Sequence, residues 1–356
     1  MRRRTLTLLA FVSLAAFGCQ GGSSTSAGTT GGGTGTSATS NQKMRVVYIP
    51  KNTGNPYFNE VNRGFEDACK EIGCEFFSTA PATAEATSQI PIIKEQIQRG
   101  VDVIAISANS PDALNPVLDQ ARSRGIVVVT VDSDLVGNES HRDAAVLPAD
   151  FSEVGPSQVE LLGSLIGYEG DFAILSATTD APNQNAWIAK MKETLAQPKY
   201  AKMRLVDTVY GDDEPQKSTT EMEALLSKHP NLRGVISPTS VGLAAGAQVL
   251  ELSGAFPGGP RATGKGVQLT GLSTPNQLKK FVKNGVVTAF QLWAPYNEGY
   301  LATYVGTQIK QKKLTPAAGA SIETPKLGKK TFSDKLEVIA GPVEKFDKTN
   351  IDKFDF

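Results

Sequence analysis

The sequence predicts an α/β protein built as two similar halves. Three observations carry that reading. From Arg45 onward, short β-branched apolar runs alternate with amphipathic helical segments, the pattern of βαβ units and a parallel sheet. The runs are apolar on both faces, as strands covered by helices on two sides must be. Ten such strands are too many for one doubly wound sheet of usual size, and two halves explain the number better.

Taken in order, strands are expected at 46–49, 75–78, 103–107, 127–131, 145–147, 172–176, 205–210, 234–237, 268–272 and 288–292. Helices are expected at 58–72, 84–99, 112–123, 152–166, 184–195, 214–227, 241–252, 275–284 and 297–312. Several open on Pro, Ser or Asp and close on Gly, as where Pro111 and Asp112 precede a helix that Gly125 ends. The polar, aperiodic stretch DSDLVGNESHRD after Val131 reads as a crossover between the halves.

Ahead of the globular part, residues 1–19 place Arg2, Arg3 and Arg4 before an apolar run from Leu6 to Phe17, shorter than the roughly 20 residues of a spanning helix. This reads as an export signal. Its ending, Ala-Phe-Gly-Cys, resembles a lipobox with Cys19 as the lipidated residue; ordinary secretory cleavage is the alternative. Residues 20–43 are Gly, Ser, Thr, Ala and a few polar residues, which cannot bury enough apolar surface to fold and read as a flexible tether. The remainder, 44–356, is long enough for two domains with real cores.

Lys plus Arg equals Asp plus Glu at 36 each. Without the three signal arginines the balance is 33 against 36, so no basic field exists to attract nucleic acid. Cys69 and Cys74 flank a helix end at Gly73 and fit no zinc pattern. An exported chain would permit a disulfide between them, but the expectation is two small buried hydrophobes.

Enzyme signatures fare poorly. The stretch GPRATGKG at 259–266 nearly spells a phosphate-binding loop, but Gly266 stands where a Ser or Thr is needed and a strand follows it, so a surface turn is expected. His141 and His229 are the only histidines, and neither is placed beside a nucleophile. Asp132 and Asp134 could hold a metal or act as an acid/base pair, yet a strand ends there, and hydrogen bonding to ligand hydroxyls needs nothing more. No enzyme activity, cofactor or metal is expected.

Ligands in open α/β sheets sit outside the carboxyl ends of strands. The residues there form a consistent set: Lys51, Asn55, Asn109, Asp132, Asn183, Gln184, Pro238 and Thr239. Amides and carboxylates suit hydroxyl-rich ligands, and Tyr57, Phe58, Trp187 and Trp293 are candidate ring covers, with core packing as the alternative for each.

Several segments carry a family resemblance: IPKNTGNPYF (49–58), GVDVIAISANSPDAL (100–114), TVDSD (130–134), NQNAW (183–187), VYGDDEPQKS (209–218), GLSTPNQLKKFVKNG (271–285) and LWAPYNEGYL (292–301). The whole mature chain resembles the type I periplasmic sugar-binding proteins of bacterial ABC transporters. Within that group it is most similar to the branch containing rhamnose binders and binders of the signal autoinducer-2. The resemblance implies two Rossmann-like lobes joined by a three-stranded hinge, one at 44–134 plus 293–316 and the other at 135–292 plus 317–356. It implies closure on a monosaccharide, with a permease and its ATPase as partners, a monomer, an extracytoplasmic location and membrane attachment through Cys19. The autoinducer-2 pattern is met at Lys51, Asp132, Gln184 and Pro238. Asn183 departs from it where that group has a carboxylate, and Ser240 where it has alanine. Trp293 stands where ribose binders have a polar amide, which implies a ligand with an apolar patch. A rhamnose-like deoxysugar is therefore favoured, with autoinducer-2 binding or a sensory role as alternatives.

Overall fold

A strand without an exposed face must be apolar throughout, and in β1 (Arg45–Ile49) the residues Val46, Val47, Tyr48 and Ile49 are fully buried. The computed structural model describes residues Lys43–Phe356; the expected signal, nearly all of the tether, and Cys19 lie outside the described residues. The chain continues through α1 (Tyr57–Ile72), β2 (Glu75–Ser78), α2 (Ile90–Arg99), β3 (Val103–Ile106), α3 (Asn115–Ser123), β4 (Val127–Val131) and β5 (Ala144–Leu147). It then runs through α4 (Phe151–Ile166), β6 (Gly170–Ser176), α5 (Pro182–Leu195), β7 (Met203–Tyr210), α6 (Pro215–Lys228), β8 (Leu232–Ser237), α7 (Ser240–Ser253), β9 (Gln268–Gly271), α8 (Pro275–Lys283) and β10 (Ala289–Leu292). The last part is α9 (Pro295–Lys310) and four short strands, β11 (Ser321–Thr324), β12 (Gly328–Thr331), β13 (Glu337–Ile339) and β14 (Glu344–Asp347).

Two parallel sheets organise these elements. The first has the order β13-β5-β4-β3-β1-β2 and the second β7-β6-β8-β9, while β14 pairs antiparallel with β10. Helix α9 packs on α1 and on β3, β4 and β5, so it belongs to the first lobe, and α4 packs against α5, β8 and β9 of the second. The chain therefore passes between lobes three times: after β5, between β10 and α9, and between β13 and β14. This is the doubly lobed α/β architecture expected from the sequence.

The boundary between the lobes differs from the expected one at 134/135. Strand β5 pairs in parallel with β4, Val131 opposite Val146, so residues 144–147 belong to the first sheet. Strand β13 adds to β5 on the same sheet, which returns part of the tail to the first lobe as well. The polar stretch before β5 is an internal loop of the first lobe, because the strands on either side of it pair with each other, and it holds a buried ion pair. Arg142 donates from Nε and Nη2 to the two carboxylate oxygens of Asp134, each at 2.6 Å, with both side chains buried. A buried bidentate pair leaves no apolar period to read.

The cysteines also correct an expectation. Cys69 and Cys74 form a disulfide, with Cα atoms 4.7 Å apart. Gly73 ends α1 with φ of 77°, a left-handed conformation that suits glycine, and its N–H and that of Cys74 both reach the Cys69 carbonyl. That C-cap folds the chain back within the separation a disulfide needs. Two helices start later than expected, α2 at Ile90 and α3 at Asn115. Before α2, Ser88 Oγ donates to the carbonyls of Thr83 and Glu85, a side-chain competitor that holds 83–88 as a turn.

The packing of α1 on α9 fixes the residues at the mouth of the first lobe. A Cβ at Gly64 would stand 2.1 Å from the Tyr296 carbonyl oxygen, and one at Gly299 would stand 2.0 Å from that of Val61. Only glycine permits this approach. It brings the first turn of α1 beside the first turn of α9.

Candidate functional site

The carboxyl ends of the strands in both sheets face one interlobe cleft. From the first lobe come Lys51 and Asn55 on the loop after β1, Tyr57 and Phe58 on the first turn of α1, and Asp132 after β4. From the second come Asn183, Gln184 and Trp187 on α5, Asp213 after β7, and Pro238, Thr239 and Ser240 where β8 leads into α7. Leu272, Leu292 and Trp293 complete the wall.

Polar groups meet across the lobes. Lys51 Nζ donates to Asn183 Oδ1 at 2.7 Å, and Asn52 Nδ2 donates to the Asp213 carbonyl at 3.3 Å. The carboxamide oxygen of Gln184 accepts from Ser176 Oγ at 2.8 Å and from the Ala177 N–H at 2.9 Å, which leaves its NH2 group as the end available to the cleft. Thr239 donates its hydroxyl to Asp213 Oδ1.

Asp132 and Asp213 are both buried, and both hold left-handed backbone, with φ of 64° and 55°. Burial pushes both carboxyls above the usual aspartate range, and the Lys51 ammonium opposes the rise at each.

An aromatic corner borders the polar side. Trp187 and Trp293 pack edge to face with centroids 5.7 Å apart, and Tyr57 and Phe58 do so at 5.3 Å. Trp293 Nε1 donates to the Tyr57 hydroxyl at 2.7 Å, and that hydroxyl donates to Glu298 on α9. Glu298 is fully buried; burial, with the Asp132 charge next, pushes its carboxyl well above its ordinary value. Glu298 orients Tyr57 from behind the wall by accepting that bond.

Of the residues expected at the site, Lys51, Asn55, Tyr57, Phe58, Asp132, Asn183, Gln184, Pro238, Ser240 and Trp293 line this cleft. Asn109 does not, and its expected position in the ligand set is corrected. Its Nδ2 donates to the Lys51 carbonyl at 2.9 Å and to Ser88 Oγ at 3.2 Å, and its N–H donates to Gln89 Oε1 at 3.0 Å. Gln89, with no exposure, also donates to the carbonyls of Pro50 and Ser107. Asn109 and Gln89 thus brace the loop that carries Lys51. Sequence reasoning did not single out Asp213, Glu298, Leu272 or Leu292. Asp213 alone carried a signal, an acidic pair just past a strand at the edge where ligands sit.

The histidines are elsewhere: His141 pairs with Asp119 at 2.8 Å and His229 with Asp207 at 3.2 Å. Among the described residues, no group of three or more His, Cys, Asp or Glu side chains is placed to hold a metal ion.

Residues 46–314, most of the chain and both sides of this cleft, match the periplasmic binding protein domain family. The chain belongs to that family. A solute-binding protein of an ABC transporter from Clostridium phytofermentas, solved with bound L-rhamnose, is 33% identical, covers 88% of this chain and 98% of its own, and superposes with a TM-score of 0.82. A sugar ABC transporter protein from Actinomyces odontolyticus is 37% identical over the same shares, with a TM-score of 0.68. The D-ribose/D-allose-binding protein of Pseudomonas aeruginosa is 26% identical over 264 residues, which is 70% of this chain and 76% of that protein. The resemblance to type I periplasmic sugar-binding proteins and the doubly lobed fold are both borne out.

Proposed function

We propose that the protein binds a monosaccharide in the interlobe cleft and delivers it to the permease of an ABC importer, with a rhamnose-like deoxysugar as the preferred ligand. The observation that carries this is the composition of the cleft. Neutral amides, hydroxyls and two carboxylates from both lobes stand against a corner of four aromatic rings. Sugar hydroxyls need paired donors and acceptors, and ring faces cover the C–H surface between them. Leu272, Leu292 and Trp293 add an apolar wall suited to a 6-methyl group. The L-rhamnose in the C. phytofermentas relative supports the same choice.

A ligand touching both lobes favours the closed state through its differential affinity for it, and closure presents one shape to a partner. The role is capture and release without turnover. Outside the cytoplasm, the tether to the membrane would run through a lipidated Cys19, and the chain would act as a monomer with the permease and its ATPase. Mass spectrometry of the mature protein, with and without Cys19→Ala, tests the anchor; light scattering tests the monomer.

Calorimetric titration with rhamnose, fucose, ribose, xylose, polyols and autoinducer-2 tests the ligand. Rhamnose should bind most tightly. Binding of autoinducer-2 alone would refute the preference for a deoxysugar. A sensory role predicts normal rhamnose uptake in a deletion strain, whereas transport predicts its loss.

A further inference from the structure

The resembled autoinducer-2 pattern has a carboxylate where this chain has Asn183, yet the cleft is not short of one on that side. Asn183 Oδ1 already accepts two hydrogen bonds, from Lys51 Nζ at 2.7 Å and from the Gln184 N–H at 2.9 Å. Asp213 enters from a different element, the turn between β7 and α6. Asp212 and Asp213 are successive left-handed residues, each with φ of 55°. The Gly211 N–H donates to the Ser176 carbonyl at 2.9 Å, and that of Asp212 to the Ala177 carbonyl at 3.1 Å, so the turn is tied to the end of β6. The Asp213 side chain is buried, borders the same cleft as Asp132, and has one oxygen engaged by Thr239. Among the described residues, no donor bonds its second oxygen, Oδ2.

We propose that Asp213 is a specificity-determining residue: Oδ2 accepts a sugar hydroxyl from the second lobe, opposite Asp132 on the first, and the two carboxylates restrict the cleft to neutral sugars. This rests on the monosaccharide reading above and narrows its ligand class. The charge arithmetic points the same way. Two carboxylates face one ammonium, Lys51, so a ligand bringing its own carboxylate or phosphate meets a surplus of like charge in a buried site. A neutral polyol instead supplies hydroxyl donors to both acceptors. Hydrogen bonds to charged acceptors carry about twice the strength of neutral ones, so the discrimination falls at these two positions.

The test is titration of wild type, Asp213→Asn and Asp213→Ala with the best neutral sugar and with its uronic-acid counterpart. Removing the charged acceptor should weaken the neutral sugar about 10- to 100-fold. In Asp213→Asn, which keeps shape and one acceptor, the preference for neutral over acidic sugar should shrink at least tenfold. A merely structural role would lower both affinities together and leave that ratio unchanged, which would overturn the proposal. Asp213→Asn, close to isosteric with the native side chain, carries the test even if Asp213→Ala fails to fold. Wild type that binds no neutral monosaccharide, or prefers the acid, would overturn both readings. Wild type that binds a neutral sugar while Asp213→Asn keeps its full preference would overturn only the role of Asp213.

Discussion

Replacing Lys51 with Met removes an ammonium while keeping most of the side chain's length. Lys51 is buried and donates to Asn183 across the cleft, so this bond exists only when the lobes are closed. A hydrogen bond from a charged donor contributes about 1.5–3 kcal/mol. Its loss destabilises the closed state by that amount, and the ligand must then supply it, which raises the apparent Kd roughly 10- to 150-fold. Calorimetry measures the Kd, and small-angle scattering with and without sugar measures closure. Asn183→Leu and the double variant complete a cycle: if the bond is the cause, the second substitution adds little to the first. The defect should also depend on pH. Lys51 opposes the raised pKa of Asp132 and of Asp213, so without it both carboxyls rise further. The protein lacking Lys51 then recovers stability as the pH falls and these groups protonate. A Kd within threefold of wild type, or fully additive losses in the cycle, would refute the reasoning.

Other outcomes follow from the same structure. Asp132→Ala should abolish sugar binding while the ligand-free protein melts cooperatively; loss of folding instead, seen by circular dichroism, would make Asp132 structural. Glu298 is buried with a raised pKa, so between the ordinary glutamate value near 4.3 and its folded value the native state holds more protons than the unfolded one, and stability falls as pH rises. Glu298→Gln should flatten that slope in urea melts from pH 5 to 9. Opening the Cys69–Cys74 disulfide with a double serine substitution releases a loop of sequence separation 5, worth about 2 kcal/mol by chain entropy. Melting temperature should drop a few degrees with sugar affinity unchanged, because the bond lies at the far end of α1 from Tyr57. Asn109→Ala should weaken binding about tenfold by loosening the Lys51 loop, since each buried bond lost costs on the order of 1 kcal/mol, and hydrogen exchange at 50–55 should speed up.

What the sequence determined by itself was the alternation of strands and helices and the residues at the strand ends. Buried parallel strands such as β1, β3 and β4 must be apolar on both faces, and that demand is written locally. Because ligand sites lie at the carboxyl ends of such strands, Lys51, Asp132, Asn183 and Pro238 were legible before any contact was known. The lobe boundary was not. The Asp134–Arg142 pair makes an internal loop look like a linker, since charges that neutralise each other in the core resemble charges meant for water. Strands β13 and β14 are three or four residues long and carry charge on their exposed faces, too short for a period to emerge. The disulfide depended on the left-handed cap at Gly73, and the bracing role of Asn109 on where Gln89 lies in space. Asp213 needed the turn after β7 to carry it into the cleft beside Asp132. Each of these is a meeting of residues distant in sequence or a backbone reversal, and only the tertiary structure fixes which side chain faces which.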